Sequence, residues 1–421
     1  MSRKWDAREA GREVARNTIK QLNAPPDFFL LFSTIHYRDH GGFEEFLNGV
    51  WDVLPKGTPL IGGTVSGFLN NHGCYTRGCS ALAVSSADLD IVVGVGNNTK
   101  RNPRKAAIQC ANMVKKGFSS SKFNNHYLLN FVSGACVMKI PGQGDTKVVN
   151  PGFMSKFTML SFGSSQYLLQ KGFAREDEFF DEMIRQIPGC HMMLGTSMDD
   201  YKAFENYQFF DDKILENSAV SLGISTNCYL DVDTTFGMKK TDINFKITKY
   251  SKYVIHEINN KPAVRELYKL LNWPENYITN KTIFNILPYY PISIKKYGRD
   301  IAIVMPGILG DSILIPCDID EKEVSILTVS GRDIIQTFDD NIKSFSNVNP
   351  EFGLFSTCMT ILATLGYNMN IVKDKLLEYF KEKPFLMFFS AGEGTCSPEK
   401  NITYANMSFN SSIFGKKLFP D

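Results

Sequence analysis

Glycine, serine and threonine gather at three places where an apolar run gives out: "IGGTVSG" from Ile61 to Gly67, "GTS" from Gly195 to Ser197, and "SAGEGT" from Ser390 to Thr395. Such residues at a strand end can do binding chemistry. Glycine admits a ligand to the backbone, while exposed N–H groups and hydroxyls hold a carboxylate or phosphate. Ligands of α/β layers collect in crevices of this kind. The candidate contacts are Gly62, Gly63, Thr64, Ser66, Gly67, Gly195, Thr196, Ser390, Gly392 and Thr395, with tight turns as the alternative use of the same residues. None of the three stretches has the spacing of a P-loop or a dinucleotide fingerprint, so nucleotide binding is not indicated. Glu393, framed by glycines, and Arg332, which follows a strand at "VSGRD", add charge. In a shared crevice Arg332 would grip a ligand carboxylate through its two-pronged donors and Glu393 an amine, a pairing that suits an amino acid. A structural ion pair or two solvated charges is the other reading.

Other constellations carry less. His72, Cys74 and Cys79 in "HGCYTRGC" fall one ligand short of a zinc site and lie in what reads as a hairpin turn. Cys358 has no histidine near it in sequence to serve as a base. The six histidines, among them His36, His191 and His256, are scattered, and no Cys-x-x-Cys-His motif occurs. No metal or cofactor is expected, with non-covalent haem left open because it needs only an axial side chain. A carboxylate pair for acid and base work does not stand out, since the acidic residues fall mainly on helix faces and in turns.

The elements that must position these residues follow from periodicity. After "DFFLLFST", Phe43, Phe46, Leu47, Val50, Trp51 and Leu54 recur at three- and four-residue steps and predict a helix stopped by Pro55 and Gly57. "TPLIGG", "CSALAVSS" and "DIVVGVG" then read as strands. The same order of strand, helix, strand and hairpin returns in "HYLLNFVSG", "EDEFFDEMIRQI", "CHMMLGTSMDD" and "YQFFDDKILENSAVSLGI", placing Gly63-Thr64 on Gly195-Thr196, with an extra loop in the second copy. A third occurrence starts at "EFGLFST", whose last four letters repeat those of the first strand, and runs to "KPFLMFFSAGEGT". Residues 226–250 are polar and interrupted and mark a domain boundary. The expected class is α/β, with mixed sheets flanked by helices and internally duplicated units.

Composition sets the broad class. The chain has 421 residues, 43% of them hydrophobic, enough for two or three domain cores. A balance of 46 basic against 44 acidic residues disfavours nucleic acid as a partner. The charged N-terminal stretch, residues 1–26, reads as a helix and not as a secretory signal, and no run is long and apolar enough to span a membrane. Nine cysteines, an odd number set in apolar runs, fit free thiols in a reducing, cytoplasmic compartment.

Taken in order, "LFST" with "PLIGGTVSGF", "CHMMLGTSMDD" with "YQFFDDKILENSAVSLGI", "VIHEINNKPAVRELY", "LTVSGRD" and "FFSAGEGT" resemble the FIST sensory proteins, with a FIST N domain at about 27–230 and a FIST C domain at about 245–410. The resemblance implies a cytosolic input module that binds small ligands such as amino acids or related carboxylates. It also implies that some members carry haem and sense nitric oxide, and that one eukaryotic member is joined to an F-box. No kinase, cyclase, chemoreceptor or F-box segment accompanies the present sequence, so output is expected through a partner chain. The leading expectation is a non-enzymatic small-ligand sensor. An enzyme acting on a small carboxylated metabolite through Glu393 or Cys358, a haem-based gas sensor, and a ligand-free interaction adaptor are the alternatives.

Overall fold

A computed structural model describes residues 1–137, 147–399 and 401–417. One arrangement occurs three times in it. A strand leads through a helix to a second, parallel strand; a hairpin follows, and a return strand then lies antiparallel beside the first. The first unit uses Phe28–Ser33, the helix Gly42–Trp51, Leu60–Thr64, the hairpin Phe68–Asn70 with Gly73–Tyr75, and Cys79–Val84. The second uses Asn125–Ser133, the helix Glu176–Gln186, His191–Ser197, the hairpin Gln208–Phe210 with Lys213–Leu215, and Ser218–Thr226. The third uses Val348–Cys358, the helix Met369–Phe380, Phe385–Ser390, the hairpin Glu393–Cys396 with Ile402–Ala405, and Phe409–Lys417. The α/β class with mixed sheets and helical flanks is therefore as the periodicity predicts.

No hairpin stays with its own unit. The second unit's hairpin extends the first sheet, with Gln208 opposite Gly63. The third unit's hairpin extends the second sheet, with Gly394 opposite Leu194, and the first unit's hairpin extends the third, with Phe68 opposite Phe388. Two further strands run the other way round: Leu89–Asn97 pairs with Ser218–Thr226 of the second unit, and Tyr229–Thr235 with Phe409–Lys417 of the third. Each exchange covers a row of backbone donors and acceptors that an edge strand would leave open.

Phe32, Phe131 and Phe388 meet where the three sheets converge, with ring centroids 5.2, 4.5 and 5.6 Å apart. Phe32 lies opposite Gly63 and Phe131 opposite Gly195, whereas in the third unit the roles invert and Ser356 lies opposite Phe388. A Cβ at Gly63 would stand 2.7 Å from the Phe131 ring, and one at Gly195 would overlap the Phe388 ring. Gly195 is thus set by close approach of an aromatic side chain, and Gly63 by the Tyr207 carbonyl, which its Cβ would overlap, together with the ring.

The two "LFST" segments are out of step by one residue. Phe29 N–H donates to Pro59 C=O and Gly353 N–H donates to Pro384 C=O, so Leu354 corresponds to Leu30 and not to Leu31. Side-chain alternation agrees: Leu30 and Leu354 both pack into the central core, while Leu31 and Phe355 both face outer helices.

Residues 226–250 form ordered strands. Tyr229–Thr235 closes the third sheet, and Lys239–Ser251 pairs with Val254–Ile258 and Glu323–Thr328 in a further, largely antiparallel sheet. That sheet shares a core, through Ile247, Ile255, Ile292 and Ile326, with residues of the helices Pro103–Ser120 and Glu176–Gln186. Within the second unit, the stretch between its first strand and its helix carries the helix Phe153–Leu168. The N-terminal stretch forms the helix Ala7–Ile19, capped by Asp6, whose carboxylate accepts from Glu9 N–H. Among the described residues no helix is long and apolar enough to cross a membrane.

Candidate functional site

The parallel strands of the second unit end at Ser133 and Ser197, and beyond them lies a cavity of about 190 Å³. Its wall is drawn from several elements: Ala135 and Val137 after the first strand, Thr196 and Met198 at the end of the second, Met359 and Ala391 from the third unit, Thr158 and Ser165 on the helix Phe153–Leu168, and Phe284, Leu309 and Leu314 from the added sheet and its connections. Among the described residues, Glu176, Lys147 and Lys171 are the charged ones on this mostly apolar surface.

Glu176 opens its helix within "REDEFF", and three successive acids there meet three different fates. The helix start favours negative charge at each of them. Glu178 is half-surrounded by partners: although burial opposes ionisation, Arg175 at 2.7 Å, Lys252 at 2.7 Å and the Tyr253 hydroxyl at 2.6 Å hold it down to about 2. Asp177 forms a buried ion pair with Lys296 at 2.8 Å. Glu176 is 3% exposed and forms no ion pair among the described residues. Its Oε1 accepts from the Tyr404 hydroxyl at 2.8 Å, and its Oε2 is buried without a hydrogen-bond partner among the described residues. Burial, then the neighbouring Asp177 charge, pushes it up to about 7.

Gly392 makes room for this carboxyl, since a Cβ there would overlap Glu176 Oε1. The turn that carries Gly392 is held by Thr196, whose Oγ1 accepts from Ala391 N–H at 3.1 Å and Gly392 N–H at 3.2 Å. Glu393, next in the chain, is fully buried, and its Oε1 accepts from Ser390 Oγ at 3.0 Å. Burial first, and also Glu176, raises it well above the usual carboxylate range.

The loop after Ser197 closes another side. Asp199 accepts from the N–H groups of Lys202, Ala203 and Phe204 at 2.9, 2.7 and 2.7 Å. This staple holds Tyr201 (φ 70°) and Ala203 (φ 56°) in the left-handed region. Tyr201 then donates its hydroxyl to Met359 C=O at 3.2 Å and accepts at its C=O from Lys147 Nζ at 2.9 Å.

Of the residues singled out in the sequence, Thr196 lines the cavity and Gly392 backs it. Gly62, Gly63, Gly67 and Gly195 are buried against backbone or aromatic rings. Thr64 accepts from Tyr207 N–H at 3.0 Å, Ser66 donates to Asp199 C=O at 2.9 Å, and the Thr395 hydroxyl meets that of Thr234 at 2.7 Å. Arg332 is exposed on the first turn of the helix Gly331–Ser344 and forms no ion pair with Glu393 among the described residues. His36 lines a second, polar cavity of about 530 Å³, where its Nδ1 lies 2.7 Å from Thr34 Oγ1. Among the described residues no group of three metal-ligating side chains comes together. Glu176, Lys147 and Tyr201 escape a sequence reading because each sits in a segment that looks like an ordinary helix face or loop; the one trace is an acidic triplet at a helix start.

Comparison with known proteins gives one family. The model of the FIST N domain matches residues 27–261, more than half of the chain. No curated protein matches the chain.

Proposed function

The chain belongs to the FIST family of sensory domains, and on that premise we propose that it binds a small amino-acid-like molecule in the cavity beside Glu176 and signals through a partner. The observation that carries this reading is a buried carboxyl with an unpartnered oxygen on the wall of an apolar chamber. An unsatisfied buried acceptor is costly, and a ligand amine or hydroxyl relieves that cost. Lys147 and Lys171 on the same wall supply the complement for a carboxylate, while Phe173, Phe284 and Met198 suit an apolar side chain. Size agrees with this class: a cavity of about 150 Å³ accommodates benzene, so about 190 Å³ suits a ligand of few heavy atoms.

Native mass spectrometry of the purified chain, followed by thermal-shift titration with leucine, methionine and phenylalanine, tests the proposal. A ligand at one hundred times its dissociation constant stabilises by about 2.7 kcal/mol. Glu176→Gln and the cavity-filling Met198→Trp are both expected to abolish the shift. A shift that survives in both variants places the ligand elsewhere, and no shift with any of the three probes rejects the ligand class.

A further inference from the structure

We propose that the helix Phe153–Leu168 is a self-association surface that pairs, antiparallel, with the same helix of a second copy of this chain. Phe153, Phe157, Leu160, Tyr167, Leu168 and Leu169 are 81, 55, 83, 61, 65 and 62% exposed. Half of the large hydrophobic residues exposed on the described surface therefore lie on this one helix and its cap. Single exposed apolar side chains are ordinary, but a strip of five on one helix, Phe153, Phe157, Leu160, Tyr167 and Leu168, marks an interface.

The spacing identifies the kind of occupant. Phe153, Phe157, Leu160, Ser164 and Tyr167 follow steps of four, three, four and three, the heptad seam by which one helix packs on another. At 3.6 residues per turn they fall within an arc of roughly 100°, and Ser155, Thr158 and Ser165 occupy the opposite face toward the protein. The seam is complementary to itself. A two-fold axis near Leu160 and Ser161 sets Phe153 of one copy beside Tyr167 and Leu168 of the other, and each Phe157 over the small Ser164, as an isologous contact requires. Lys156 is the helix's single charge, so pairing confronts few like charges. With roughly 200 Å² for an aromatic residue and somewhat less for leucine, the exposed fractions of Phe153, Phe157, Leu160, Tyr167 and Leu168 amount to on the order of 600 Å² per copy, the lower end of the ~1,200–2,000 Å² total of a standard interface.

Sedimentation velocity of the full chain from 1 to 100 μM tests the proposal. The expected result is a dimer of twice 47.4 kDa. Leu160→Glu and, separately, Phe153→Asp are expected to weaken dimerisation at least 100-fold with an unchanged melting temperature, both side chains being exposed in the single chain. A wild type that stays monomeric to 100 μM overturns the proposal, as does a dimer that both variants leave intact. Co-sedimentation of monomer with phosphatidylserine vesicles, lost in Leu160→Glu, would assign the strip to a lipid surface and overturn it as well.

Discussion

Substituting Glu176 by Gln should change how stability depends on pH. Gln keeps the shape and the acceptor for the Tyr404 hydroxyl but cannot ionise. In the wild type, burial raises this carboxyl from its ordinary 4.5 to about 7. The folded chain therefore holds a proton that the unfolded chain releases. The contribution is complete below about 4.5 and is lost as pH climbs to about 7. Two and a half pH units at roughly 1.4 kcal/mol each give about 3.5 kcal/mol, of which about 2.5 remains to be lost between pH 5 and pH 8. Urea unfolding at these two pH values, for both proteins, measures the effect as a difference of differences. Glu393, raised in the same direction, contributes to both proteins and subtracts out apart from its coupling to Glu176. The wild type should lose about 2 to 3 kcal/mol more than Glu176→Gln across the interval. If the two proteins run parallel within about 0.5 kcal/mol, Glu176 is not held protonated by burial, and the account of the cavity wall fails with it.

Glu178 should behave in the opposite sense to its neighbour. Its folded value is depressed to about 2, so its stabilisation is present above 4.5 and lost as pH falls; Glu178→Gln should cost about 2 to 3 kcal/mol at pH 7, and the deficit should shrink on acidification in the same urea assay. Gly195→Ala should destabilise by about 1 to 3 kcal/mol, because its new methyl meets the Phe388 ring, and Phe388→Leu should recover part of that loss in the double variant. Asp199→Ala strips the acceptor from three backbone N–H groups and should cost about 2 kcal/mol in chemical denaturation while raising hydrogen exchange at residues 201–204; unchanged exchange there would show that the loop holds without the staple.

Local chemistry was legible where neighbours in sequence are neighbours in space. The helix on Phe43, Phe46 and Val50, the turn at Asp211-Asp212 and the match of Gly63-Thr64 to Gly195-Thr196 all follow from patterns a few residues long. What sequence conceals is the long-range choice. Nothing in "GFLNNHGCY" tells that its hairpin pairs with Phe388, because pairing partners are decided by the assembled sheets. Repeated letters also mislead by one place: "LFST" at 354 copies the letters of the first strand but not its phase. The glycine-rich strand ends read as a ligand cradle on type alone, whereas their environment shows Gly63 and Gly195 facing Phe131 and Phe388. Glu176 was hidden for the converse reason, since a carboxylate in "EDEFFDEM" looks solvated until Tyr404, Gly392 and the cavity close around it.

The exchange of hairpins among the three units bears on synthesis. The hairpin Phe68–Tyr75 leaves the ribosome about 300 residues before Phe388, the strand position it must join. At about 5 to 20 residues per second, its apolar face waits roughly 15 to 60 s for a partner. No unit can complete its sheet alone, so a chain stalled near residue 235 has closed the first sheet but leaves the hairpin Phe68–Tyr75 and the strand His191–Ser197 without their partners. The yield of the protein in cells should therefore respond to elongation rate more steeply than that of a chain whose sheets close within themselves.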